Sequence, residues 1–211
     1  MNMIPAIESF LRFRPTDQWI RKNSGLAWLD LAIDVPYKKI SIEAQAVFER
    51  SVEHRDGDNV LGYSNHGWRS LCLHGIASDA TSMDNGVMQI TDVGELCPDT
   101  MAFVKEYWHL TGAGRIRFMW LMPGGYIMPH VDRHSAELFE CNIAIHHPTD
   151  CAVQFIDRGR VPFESGKAFI IDTSFRHFAF NRSAHPRLHL IIHADLQPGI
   201  VRRSYEKSFY T

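Results

Sequence analysis

The chain has 211 residues, which suits one domain, and at that size folding needs no metal or disulfide. Hydrophobic residues make up 45% and charged residues 22%, which excludes a disordered chain. Lys+Arg of 22 against Asp+Glu of 24 gives a net charge of −2, so no basic surface advertises nucleic acid or anionic membrane as a partner.

The N-terminal stretch from Met1 to Pro15 lacks the basic-then-apolar order of a secretion signal. No apolar run reaches the roughly 18 residues of a membrane span. A cytoplasmic protein is expected. Ser41 to Arg55 reads as a helix: Ser41 can cap it, and Ala44, Val47, Phe48 and Val52 share a face. A strand is expected near Trp68 to Leu73, between polar loops at residues 56–65 and 78–86 that are candidates for a substrate rim. Pro98 to Leu110 reads as a second helix, with Pro98 early, Met101, Val104, Tyr107 and Trp108 on one stripe, and Gly112 as a stop. The cysteines at 72, 97, 141 and 151 form no C-x-x-C and read as buried free thiols.

From Arg115 the pattern changes to short strands at 115–122, 139–146, 152–156, 167–172, 177–181 and 187–194, punctuated by Gly, Pro, Asn and Asp. The expected fold is mainly β with flanking helices: a double-stranded β-helix, or jelly roll, of the cupin kind. We expect one domain over residues 1–211. A helix-rich part, 1–114, would pack on a catalytic core at 115–195. In the last strand Leu188, Leu190, Ile192 and Ala194 point one way, while Arg187, His189, Ile191 and His193 point the other. The first set suits a core and the second either a site or a solvated face.

Twelve histidines are many for this length. Chance predicts about one His-x-Asp, and the chain has three. His54/Asp56 lies in a turn-rich stretch, and no histidine follows His193/Asp195. His130/Asp132 sits at a strand edge after a Pro123-Gly124-Gly125 turn, where an imidazole and a carboxylate two residues apart can share a face. One distant histidine would complete two histidines and a carboxylate, the set that leaves positions open on non-haem iron. His177 is the candidate, because Arg187 follows on the next strand and can clamp a carboxylate bidentately. In a simple hairpin those two would lie about 13 Å apart along the sheet. A jelly roll puts consecutive strands on opposing sheets and brings both side chains into one cavity. Arg115 and Arg117 share a face and can neutralise a carboxylate-bearing substrate or form a salt-bridged surface. His146 and His147 face opposite ways. His189 reads as a neighbour of Arg187 or a core histidine, and Trp120 as core.

Five blocks together resemble the aspartyl/asparaginyl β-hydroxylase family: Trp68 to Gly75, Arg115 to Gly124, Met128 to Asp132, His177 with Asn181, and Arg187 to Ile192. The resemblance spans about residues 66 to 195. It implies a double-stranded β-helix using Fe(II), O2 and 2-oxoglutarate. His130, Asp132 and His177 would be the metal ligands and the catalytic centre, and Arg187 would hold the far carboxylate of 2-oxoglutarate. Many members carry an Arg-x-His block on the strand after the first ligands. Asn142 and Ala144 stand there in this chain, and Asn142 can hydrogen-bond cosubstrate or substrate. The implied reaction hydroxylates an unactivated C–H of a free or peptidyl amino acid, releasing succinate and CO2. The residues alone leave open a jelly-roll module that binds a small carboxylate or sugar without redox chemistry, or a cupin-like isomerase or hydrolase. They leave the oligomeric state open as well.

Overall fold

A computed structural model describes residues 15–54, 63–81, 86–110 and 114–209. Helix α1 (Asp17–Asn23) is capped by the Thr16 hydroxyl, which accepts from the Trp19 amide. Strand β1 (Trp28–Asp30) leads to α2 (Tyr37–Ala46), a 3-10 turn (Phe48–Arg50) and β2 (Val52–Glu53). Long β3 (Asn65–Gly75) is followed by β4 (Gln89–Ile90), α3 (Asp92–Glu95), α4 (Pro98–Tyr107) and β5 (Trp108–His109). Then come β6 (Arg115–His130), β7 (Glu140–His146), β8 (Cys151–Phe155), β9 (Gly159–Arg160), β10 (Ala168–Ile171), β11 (His177–Asn181), β12 (Arg187–His193) and β13 (Asp195–Leu196). Helix α5 (Ile200–Phe209) closes the described chain.

The first expected helix starts and ends earlier than its apolar stripe suggests. Pro36 stands at its N-cap, so Ser41 lies inside it. The second ends at Tyr107 because Trp108 turns extended and pairs as β5. The expected stop at Gly112 lies outside the described residues. All four cysteines are free and buried, and burial pushes the Cys97 and Cys141 thiols up to about 12.

The strands form a curled antiparallel sheet in the order β1-β10-β7-β12-β6-β11-β8-β9, with β3 on the other edge of β6. This is the jelly-roll architecture expected. Its hinge is β6. Residues 115–121 pair with β12, and residues 126–130 pair with β11 along the same edge. Pro123-Gly124-Gly125 does not end the strand, as its composition suggested, but bends it. The register with β3 jumps from Trp68↔Leu121 to His66↔Tyr126. Gly67 and Gly124 take the positive φ of 64° and 76° that this bulge needs. An added Cβ on Gly67 would come within 3.3 Å of the Gly125 Cα, so the two backbones touch there.

Alternation sorts the side chains into two cores. Ile116, Phe118 and Trp120 of β6, with Leu188, Leu190 and Ile192 of β12, face outward beneath the helices and join Ile40, Val104 and Ile200. Leu121, Ile127, Ala144, Val153, Phe155, Phe169 and Ala179 face inward between the two halves. Each fully buried Leu, Ile or Phe contributes about 1.5–3 kcal/mol. The inward face is not filled by these residues alone, and a cavity of about 610 Å³ opens beside them. Among the described residues no helix is long and apolar enough to cross a membrane.

Candidate active site

His177 opens β11 and pairs directly with His130, the last residue of β6. Strict alternation from inward-facing Ile127 would turn His130 outward. One extra residue between Ile127 and His130, relative to Ala179 and His177, restores it to the inside. Asp132 lies just past the strand end, where its amide donates to the Thr173 carbonyl at 3.1 Å.

The ligand-type atoms of His130, Asp132 and His177 all lie within 4.8 Å of one another. Asp132 Oδ1 is 3.2 Å from His130 Nε2, and Oδ2 is 3.4 Å from His177 Nε2. Both rings are tethered from behind: His130 Nδ1 donates to the Met128 carbonyl at 2.8 Å and His177 Nδ1 to the Phe175 carbonyl at 2.9 Å. Each tether occupies Nδ1 and turns Nε2 of the ring toward the carboxylate. Burial opposes ionisation of Asp132, but hydrogen bonds from the two histidines outweigh it and hold the carboxyl well below its ordinary range. Burial likewise disfavours a charged His177, yet Asp132 beside it raises its pKa. The Tyr63 ring stacks on His130 at 4.0 Å.

Arg187, Asn142, Arg115 and Arg117 line the same cavity as these three residues. Arg187 enters from β12 and His177 from β11; β11 pairs with β8 and the far half of β6, whereas β12 lies between β6 and β7. The strands are thus not a hairpin. Arg187 is buried, and its Nε and Nη1 have no hydrogen-bond partner. Burial lowers it to about 10, so it keeps its charge at neutral pH. A buried guanidinium with idle donors demands an anion.

Asn142 is engaged on both sides. Its Nδ2 donates to Glu140 Oε1 at 2.6 Å, and its Oδ1 accepts from His189 Nδ1 at 3.2 Å. His189 Nε2 must then accept from His147 Nδ1, 2.9 Å away. Glu140, which also lines the cavity, escaped the sequence reading, whereas His193 lines it from the polar face expected of the last strand. The available signal was period two: Glu140 shares its strand face with Asn142. His146 stays exposed, Trp120 is core, and Asn181 is buried, its Nδ2 donating to the carbonyls of Leu121 and His185. The candidate substrate-rim loops fall largely on residues 56–62 and 82–85, outside those described.

Burial, then the nearby Arg187 cation, lowers His147 to about 3 and carries His189 well below its ordinary value. Both stay neutral in the folded protein, while unfolded histidines titrate near ~6.5. Their contribution to stability is therefore complete above about pH 6.5 and is lost as pH falls below it. Urea midpoints taken from pH 7 to pH 5 will fall, and His189→Gln will flatten that slope by removing one of the two groups. An identical slope in the variant would show that His189 takes no part.

A curled jelly roll that gathers two imidazoles and a carboxylate at a cavity, with a buried cation beyond them, has the layout of the mononuclear non-haem metal oxygenases. The chain belongs to the aspartyl/asparaginyl β-hydroxylase family, whose model matches residues 35–195. It is thus a member of a family of hydroxylating enzymes. Among solved structures, a prolyl-4-hydroxylase from Pseudomonas putida is 11% identical and has a TM-score of 0.50; the match covers 86% of this chain and 97% of that one. An oxidoreductase of the 2OG-Fe(II) oxygenase family from Burkholderia pseudomallei is 14% identical with a TM-score of 0.51, the match covering 88% and 92%. At these identities the likeness is one of fold. No curated protein matches the chain.

Proposed function

We propose that this protein is an Fe(II)- and 2-oxoglutarate-dependent dioxygenase that hydroxylates an unactivated C–H of an amino acid, free or peptidyl. The observation that carries the reading is the His130/Asp132/His177 cluster sharing a cavity with the unpartnered buried guanidinium of Arg187. Two neutral imidazole nitrogens and one carboxylate oxygen fit ferrous iron and leave positions for a chelating cosubstrate and oxygen. When bound, iron with 2-oxoglutarate and O2 supplies a two-electron oxidation of the substrate C–H, giving alcohol, succinate and CO2.

The chain's own residues hold and orient these components. The carbonyls of Met128 and Phe175 occupy both Nδ1 atoms, so Nε2 of each ring is the nitrogen left to hold the metal. Asp132, ionised throughout the neutral range, removes one positive charge from the site. Arg187 would take the distal carboxylate of the cosubstrate through paired N–H donors. The inward apolar residues Ile127, Val153, Ile171 and Ala179 line the remaining wall and keep bulk water from it.

Adding Fe(II) and then 2-oxoglutarate to the apoprotein without oxygen will produce a visible metal-to-ligand charge-transfer band. The band will vanish in Asp132→Ala. A folded, iron-loaded protein with no band would return the site to a carboxylate-binding module without redox chemistry.

A further inference from the structure

The helices pack on β1, β3 and β7. The opposite half of the roll, built from β9, β8, β11 and the far end of β6, carries apolar side chains on its outer face. Positions alternate along β11: His177, Ala179 and Asn181 are buried, while Phe178 and Phe180 are half-buried on the other side. The two phenylalanine rings lie 6.3 Å apart at an interplanar angle of 25°. Tyr126 and Met128 of β6 and Ile156 just past β8 are 38%, 48% and 46% exposed. A sheet face turned to water ordinarily carries polar side chains. A contiguous apolar patch there marks an interaction surface.

Register orders this face into rows. Phe178 pairs with Gln154, which pairs in turn with Arg160. Phe180 pairs with Ala152 on one side and Tyr126 on the other. One row further, the Arg182 amide donates to the Asp150 carbonyl at 2.9 Å. The Arg182 guanidinium lies 4.8 Å from the Phe180 ring centroid, which keeps it on this face. Strand β11 thus presents bulky Phe180 and a guanidinium, and β8 beside it presents short Ala152 and a carboxylate at the same levels. Among the described residues neither Arg182 nor Asp150 has an ion-pair partner.

Two columns of opposite character, side by side on one face, are self-complementary. Consider a two-fold axis lying in the face and running along the strands midway between β8 and β11. It places β11 of one copy over β8 of the other, level by level. Arg182 then meets the partner's Asp150, Phe180 the partner's Ala152 and Phe178 the partner's Gln154, each contact made twice. An axis across the strands would instead set Arg176 over the partner's Arg182, like charge against like. The face is not uniformly basic, because Asp150 and Asp157 stand among its arginines. A mixed surface of this kind suits a second copy better than a nucleic acid, whose backbone carries charge of one sign. Four strands about 4.8 Å apart and seven residues rising about 3.3 Å each give a flat footprint of roughly 400 Å² per copy, at the low end for a specific interface.

We propose that the outer face of β8 and β11 is the interface of an isologous homodimer, with Phe180 against the partner's Ala152 at its centre and the Arg182–Asp150 pair, made twice between copies, at its rim. The contact is independent of the reaction proposed above. Its footprint makes it a dimer of micromolar strength rather than an obligate one. The strand that meets the partner outward turns His177 inward. Dimerisation therefore braces, from behind, the strand that carries one member of the His/Asp/His cluster.

The test is the mass of the full chain in solution, followed by sedimentation velocity from about 1 µM to about 300 µM at low salt. The mass will double across that range. Phe180→Asp will raise the dissociation constant by about 100-fold or more. Arg182→Asp and Asp150→Arg will each raise it about 10-fold, and the double exchange, which restores both pairs with reversed sign, will recover most of that loss. Both exchanged residues are exposed, and far-UV circular dichroism checks that the variants fold. A parent protein that stays monomeric throughout overturns the proposal without recourse to any variant. So does a dimer that the single charge exchanges leave unchanged, or one whose double exchange is no tighter than the singles. A monomer that captures a single-stranded oligonucleotide or an anionic vesicle, and loses it in Arg182→Asp, would give the face to a polyanion instead.

Discussion

His177→Ala will abolish iron binding and succinate formation together. His177 supplies one of three ligand-type atoms in the 4.8 Å cluster, and its Nδ1 tether to Phe175 leaves only Nε2 for a metal. Alanine offers neither a lone pair nor a substitute within reach. The loss will be roughly three orders of magnitude or more in turnover, about 4 kcal/mol in the barrier. His109→Ala, on the exposed edge of β5, is the control and will leave both properties intact. Iron content by metal analysis and succinate by mass spectrometry measure the two readouts independently. Full iron occupancy with normal succinate yield in His177→Ala would remove the ligand assignment.

Arg187→Leu will separate cosubstrate binding from metal binding. Arg187 Nε and Nη1 bond to no member of the cluster, so iron affinity will hold. The KM for 2-oxoglutarate will rise about 100-fold, because a buried carboxylate that loses its charged partner forfeits about 2–5 kcal/mol. Arg187→Lys keeps the charge but not the fork of donors, and will fall between the two. The same substitution carries a second sign. In the cosubstrate-free protein, Nε and Nη1 of Arg187 are buried without partners. Replacing an uncompensated buried cation by an apolar side chain relieves that cost. Arg187→Leu will therefore melt no lower than the parent without 2-oxoglutarate, and will lose the thermal stabilisation that the cosubstrate confers on the parent. A lower melting temperature without ligand would show that Arg187 is a structural residue of the inner core.

Much of this was legible from residues alone. The alternation in β12, Arg187 against Leu188 and His189 against Leu190, announced a strand with one greasy and one polar face, and both faces occur as read. The triad residues stood out by spacing and by family resemblance. Two features did not. Pro123-Gly124-Gly125 has the composition of a turn, yet β6 runs on through it, because the opposing Gly67 supplies the matching positive φ and the two backbones touch. No local pattern encodes a contact made by a glycine more than fifty residues earlier. Glu140 was passed over because a lone acidic residue in a strand usually faces solvent. Its partner His193 lies 53 residues on, and only the β7·β12 pairing brings them together.

Strand β6 carries Arg117 near its start and His130 at its end, and the glycine bulge folds it so that both reach one cavity. The backbone thus acts as a caliper whose jaws are a guanidinium and the imidazole proposed as a metal ligand. Its opening is set by the number of residues between them and by one bend. Lengthening it by a single residue would not widen the gap by one increment. It would turn every side chain on one arm to the opposite face, since the strand repeats every two residues. The distance between the two side chains can therefore change only by exchanging side chains at fixed stations or by moving the bend. A family built on this frame would diversify its substrates along the inward positions of β6, β7 and β12 while the length of β6 stayed constant.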